Sequence, residues 1–172
     1  MVEVMVSRLG LDSTTQSYVV ILQEKEGARL LPIWIGQPEA ESIVMQMHNI
    51  KRVRPLTHDL CKSLILGLGG QLQRVHITRV EKNTYYAELH INRGDTLVQI
   101  DARPSDSIAI ALRLAAPIFA AESLLSAIEL EEQNGDAPGA PAGAAEPGEL
   151  SADQLKEYLE NLRPEDFGKF NL

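Results

Sequence analysis

Three successive segments near the start of this chain return in the same order further on. VMVSRL (4–9) matches VHITRV (75–80), YVVILQEKEG (18–27) matches YYAELHINRG (85–94), and LLPIWIG (30–36) matches TLVQID (96–101). Each trio is followed by a proline and an apolar pattern with helical spacing. A repeat is the strongest architectural constraint a sequence carries, because two copies of one supersecondary unit bury their apolar faces in the same way. Alternating β-branched and polar residues in HITRV and AELHI mark half-buried strands, and Lys25 to Gly27 and Arg93 to Asp95 supply hairpin turns.

The helix of the first unit is expected to start near Pro38, where proline's missing N–H costs nothing, with Ala40, Ile43, Val44 and Met47 along one face. The second unit's helix starts near Pro104 and carries Ile108, Leu112 and Ala115. Each unit therefore reads β-β-β-α. Between them a further helix, over about Thr57 to Leu68, stops at Gly69 and Gly70. IFAAESLL then gives a short strand and turn that end the domain near residue 125. The expected class is α+β: duplicated β-β-β-α units with an extra helix between them, on a mixed or antiparallel sheet packed with helices.

The length of 172 residues suits one domain, residues 1–125, and an appendage. Residues 126–149 are acidic and rich in Gly, Ala and Pro, a flexible spacer by composition. Residues 150–172 hold a short amphipathic helix: Ser151 and Gln154 make a capping box, and Leu155, Tyr158, Leu159 and Leu162 form one stripe. A lone helix of that length is marginal in water, so the stripe is expected to dock on the domain, a second copy or a partner.

The net charge of −8 belongs to this appendage, since residues 1–125 hold 13 basic and 13 acidic residues and residues 126–172 hold 3 and 11. Overall acidity therefore says little about the domain's ligands. The opening MVEVMVSRLG is interrupted by Glu3 and Arg8, which fits neither a signal peptide nor a membrane span, and a cytoplasmic address is expected. The single cysteine, Cys61, reads as a buried structural thiol. No Walker A loop, GxSxG elbow, HExxH helix, CxxC pair or dinucleotide fingerprint is present, and one Trp and three Phe leave little for base stacking.

RPLTHDL (54–60) is the stretch with most chemistry in it. Thr57 is expected to cap the central helix and Asp59 to complement its dipole, which leaves His58 unexplained. An imidazole at a helix N-terminus has its charged form disfavoured, and a neutral one there serves as general base or metal ligand; a satisfied surface histidine is the plainer reading. Lys51, Arg52 and Arg54 precede the same helix and make either a phosphate site or a solvated basic loop. In DARPSDSIAIALR (101–113), Arg103 with either Asp101 or Asp106 is expected to tie the turn as an ion pair, while GQPEAESI of the first unit offers Glu39 and Glu41. These carboxylates cap helices, or converge with His58 and Asp59 on a divalent cation such as Mg²⁺ or Mn²⁺.

RPLTHDL with its closing Gly-Gly, IDARPSDSIAIALRLAAPIF and LPIWIGQPEAESI stand in an order and at separations that closely resemble the bifunctional nuclease domain family, over about residues 2 to 125. The resemblance implies an α+β domain, often self-associating as a dimer or larger homo-oligomer, that degrades DNA and RNA without marked sequence preference. It carries over motif membership for His58 and Asp59 (THD), Glu39 (IGxxEA), and Arg103, Ser105 and Asp106 (RPSD). On this reading Arg54 and Arg103 hold the scissile phosphate with help from Ser105, Lys51 and Arg52. His58 activates water or joins Asp59, Glu39 or Asp106 around the cation. The rival expectation is a non-enzymatic regulatory module of the same fold that binds a small ligand or a protein.

Overall fold

The computed structural model describes residues 1–12 and 16–126. The expected spacer beyond Ser126 and the expected terminal helix lie outside the described residues.

The first unit is a meander of β1 (Val2–Asp12), β2 (Ser17–Glu24) and β3 (Leu30–Ile35) followed by α1 (Gln37–Met47). Helix α2 (Thr57–Gly67) comes next. The second unit repeats the plan as β4 (Gly70–Glu81), β5 (Thr84–Arg93), β6 (Thr96–Ala102) and α3 (Pro104–Leu114). A short β7 (Ile118–Ala120) and one 3₁₀ turn, Glu122–Leu124, complete the described chain. The seven strands form one open mixed sheet in the order β3-β2-β1-β7-β4-β5-β6. The class is the expected α+β.

β7 joins the units. It runs antiparallel to β1, with Val4 opposite Ile118, and parallel to β4, with Val75 opposite the same residue. Read outward from β7, each unit lays down its strands in chain order, so the duplication becomes a symmetry of the sheet.

Strand alternation aims one set of side chains at the helices. Val20 and Leu22 of β2, Val75 and Ile77 of β4 and Ala87 of β5 are fully buried and share one core with Ile43 of α1 and Ile108 of α3. Each large aliphatic buried there contributes about 1.5–3 kcal/mol. The intervening residues face the other way, and there the rings of His76 and His90 lie with centroids 4.2 Å apart, tilted by 50° to each other.

Pro38 and Pro104 sit in the first turns of α1 and α3 as their sequences predict. Two local details differ from expectation. Helix α3 ends at Leu114, and Ala115 leaves the apolar stripe to take a left-handed φ of 51° as its cap, with its N–H on the Ala111 carbonyl. Helix α2 is capped at Leu56 rather than Thr57, because the Asp59 carboxylate reaches back to accept the Leu56 N–H at 2.9 Å. Gly69, at φ +74°, supplies the left-handed stop, and a Cβ on Gly70 would lie 3.0 Å from both the Ile65 carbonyl and Ile91 Cγ2. Glycine there lets α2 lie directly against the second unit's strands.

Helix α2 has no fully buried residue. Cys61 is half-buried against the core beside Ile65, while Leu60, Leu64 and Leu68 stay exposed. Across an apolar groove lie Val98 and Ile100 of the edge strand β6, also exposed. Among the described residues no helix is long and apolar enough to cross a membrane.

Candidate active site

The first turns of all three helices meet at one open cleft of about 520 Å³. Glu39 of α1, Thr57 and His58 of α2, and Asp106 of α3 line it together with Ser42 and Arg103. This convergence follows from the repeat: the strand-to-helix turn of each unit delivers its helix to the same place, and the Arg54–Leu56 segment delivers the third. Free amides of a helix's first turn carry partial positive charge, which offsets part of the negative charge that Glu39, Glu41 and Asp106 bring to the cleft.

His58 stands at the centre. Its Nε2 lies 3.0 Å from Asp106 Oδ1 and its Nδ1 2.7 Å from Ser42 Oγ, with the imidazole 13% exposed. Asp106 also accepts from Arg103, Nε to Oδ2 at 2.7 Å and Nη2 to Oδ1 at 3.0 Å. Burial by itself would raise the Asp106 carboxyl, but the hydrogen bonds from Arg103 and His58 outweigh it and hold the group below its ordinary range. An ionised Asp106 can only accept, so Nε2 of a neutral His58 carries the ring proton and Nδ1 accepts the Ser42 hydroxyl.

Arg103 ties the two units together. Besides Asp106 of its own turn it pairs with Glu39 Oε1 of the first unit at 2.8 Å, and these carboxylates keep its guanidinium firmly protonated. A second tie has its cation buried and its carboxylate 37% exposed. Arg113 of α3, its side chain 4% exposed, donates to Asp59 Oδ1 at 2.6 Å and to the Ser42 carbonyl at 3.2 Å, linking all three helices. Burial would raise the Asp59 carboxyl too, yet the hydrogen bonds from Arg113 and the Leu56 N–H bring it below its ordinary value.

Of the residues singled out in the sequence, His58, Glu39, Arg103 and Asp106 come together. Asp59 turns away from the cleft to Arg113. Ser105 is buried beside a neighbouring small pocket. Lys51 and Arg54 are exposed on the α1–α2 loop, next to the cleft-lining Pro55, and Arg52 directs its Nε to the Met45 sulfur at 3.4 Å. Asp101 is exposed on β6 and takes no part in the cluster.

The acidic side chains as arranged do not fit a divalent cation. Glu39 and Asp106 share Arg103 and Asp59 is held by Arg113, and among the described residues no three His, Cys, Asp or Glu side chains gather closely enough to hold a metal ion.

Two participants were missed, Ser42 and Arg113. Ser42 is 4% exposed and sits among the buried apolar residues Ala40, Ile43, Val44 and Met45, while Arg113 stands within the apolar sequence IAIALRLAA. A polar or charged residue inside a buried stripe needs a partner, and that is the signal that marks both.

Residues 20–133 match the family model of the Bifunctional nuclease domain. An uncharacterized protein of Mycobacterium tuberculosis strain H37Rv is 38% identical over 168 residues, spanning 96% of this chain and 97% of its own. Bifunctional nuclease 2 of Arabidopsis thaliana is 31% identical over 105 residues, 59% of this chain and 32% of the plant protein. Bifunctional nuclease 2 of Oryza sativa subsp. japonica is 31% identical over 116 residues, 66% of this chain and 36% of its own.

Proposed function

Because the chain belongs to the bifunctional nuclease domain family, we propose that its three-helix cleft hydrolyses phosphodiester bonds of DNA and RNA with little sequence preference. The observation that carries this reading is the convergence of three helix amino ends on His58, whose imidazole is oriented by Asp106 on one side and faces Ser42 on the other. Positive helix ends and Arg103 would neutralise phosphate charge, and His58 would take the proton of the attacking group and return it to the leaving oxygen. Lys51 and Arg54 would hold the flanking backbone without reading bases, which suits cleavage of both nucleic acids.

A need for Mg²⁺ or Mn²⁺ belongs to the proposal as a question for the assay, since a cation would have to displace Arg103 from between Glu39 and Asp106. Self-association is a further part of it, supported by the exposed apolar groove between α2 and β6. So are a cytoplasmic location and a domain, spacer and terminal helix divided near residues 125 and 149. One observation favours the rival reading of a binding module: Glu39, His58, Arg103 and Asp106 already satisfy one another.

Cleavage of labelled single-stranded RNA and plasmid DNA, with Mg²⁺, Mn²⁺ or EDTA, beside a His58→Ala variant separates the two. The nuclease reading expects cleavage that the variant loses. No cleavage by the unaltered protein under any condition favours the module.

A further inference from the structure

We propose that Ser42 is the nucleophile of this cleft and carries the phosphoryl group in a covalent intermediate. The inference deepens the nuclease reading and rests on it. Both ring nitrogens of His58 are engaged, Nε2 with Asp106 and Nδ1 with Ser42 Oγ at 2.7 Å. The hydroxyl on Nδ1 is thus the group from which the imidazole takes a proton without first breaking its bond to Asp106. Serine, histidine and aspartate stand in hydrogen-bonded series, the connectivity that activates a serine hydroxyl for attack in acyl transfer. Ser42 lines the cleft wall while being 4% exposed, and the Arg113 bond to its own carbonyl pins its backbone. The nucleophile is held on a rigid helix rather than a loop.

In the first step Ser42 Oγ attacks phosphorus, the Oγ–P bond forms, and the bond to the leaving nucleoside oxygen breaks with its electron pair. The serine proton passes to His58 Nδ1, giving an imidazolium beside Asp106, and then to the leaving oxygen. In the second step water attacks phosphorus, the Oγ–P bond breaks, and the water proton returns through His58 to Ser42 Oγ. Overall one water is consumed, and no oxidant or other co-reactant is required.

The test uses a fluorophosphonate, which phosphonylates an activated serine with loss of fluoride, on the full chain, read by intact mass and peptide mapping. One adduct at Ser42, absent from Ser42→Ala and from His58→Gln, is the expected result, with cleavage of RNA lost in Ser42→Ala while its thermal midpoint is kept. Labelling of Ser42 that persists in His58→Gln would overturn the proposal. So would Ser42→Ala cleaving as well as the unaltered protein, which would leave the nuclease reading standing with water as the direct attacking group. Absence of an adduct with cleavage lost in Ser42→Ala is resolved by acid-quenched turnover of ³²P-labelled substrate: label retained on the protein supports the intermediate and its absence overturns it. A His58-dependent adduct in a protein that cleaves neither RNA nor DNA would support the activated serine and reject the nucleic-acid substrate.

Discussion

The two β-β-β-α units share one plan and divide the chemistry between them. Aligned on their helix-start prolines, Pro38 and Pro104, the first unit has Gln37, Glu39, Ala40, Ser42 and Met47 where the second has Arg103, Ser105, Asp106, Ile108 and Arg113. No polar group of the cluster occupies the same place in both. Glu39 meets Arg103, Ser42 meets Asp106 through His58, and the Ser42 carbonyl meets Arg113, so apart from the Arg103–Asp106 pair within the second unit's own turn, the contacts of the cluster cross from one unit to the other or to α2. Duplication placed two helix starts side by side, and divergence made them complementary. The units differ at their edges as well: β3 buries Leu30, Leu31 and Ile33, whereas β6 leaves nearly its whole length exposed.

Imposing one unit's residues on the other breaks this division in graded steps. The largest stability effect is expected at the Arg113–Asp59 tie. Asp59→Ala leaves the buried Arg113 guanidinium without its carboxylate, and because Asp59 is 37% exposed and solvent screens the pair, the cost should be about 1–3 kcal/mol, measured by urea unfolding. Arg113→Met installs the first unit's residue, and Asp59→Ala should cost clearly less in that background. Equal costs in both backgrounds would show that the pair is not coupled.

Acid sharpens the contrast next. Asp59 and Asp106 have carboxyls below their ordinary 3.8, so their contribution is present above that value and is lost as pH falls through the lower folded values. Arg113→Met should shrink that acid loss. His76 shifts down from 6.5, through burial first and then the neighbouring His90 and Arg74. The unfolded chain therefore binds the proton more tightly, and stability from this source begins to fall as pH drops below 6.5. Unfolding midpoints between pH 7 and pH 3 should show both windows, and His76→Phe should remove the upper one.

The smallest effect is expected at the exposed tie. Arg103 is 65% exposed, so Arg103→Gln, the first unit's residue, should change stability by less than about 1 kcal/mol. A larger thermal shift would mean that the Glu39–Arg103–Asp106 bridge holds the units together.

Much of this was legible in the sequence. The repeat, the two prolines and Gly69 mark the strands, helix starts and α2 stop, because each rests on local backbone preference. His58, Glu39, Arg103 and Asp106 were legible as motif residues. The central place of β7 was not, since three residues carry no register until β1 and β4 flank them. The β4–β5 hairpin turns through Lys82 and Asn83, both at positive φ, without the glycine that advertises such a turn. Ser42 and Arg113 stayed hidden because their partners lie 16 and 54 residues away on other helices.

The most direct test of the central claim, that a cleft assembled from both units around His58 cleaves nucleic acid, is the cleavage rate of His58→Gln on single-stranded RNA. Glutamine keeps hydrogen-bonding capacity toward Ser42 and Asp106 but carries no titratable nitrogen. The account predicts a rate lowered about 10²- to 10⁴-fold, the usual contribution of a positioned acid–base group, with the thermal midpoint unchanged. Cleavage by His58→Gln at the unaltered rate would contradict it.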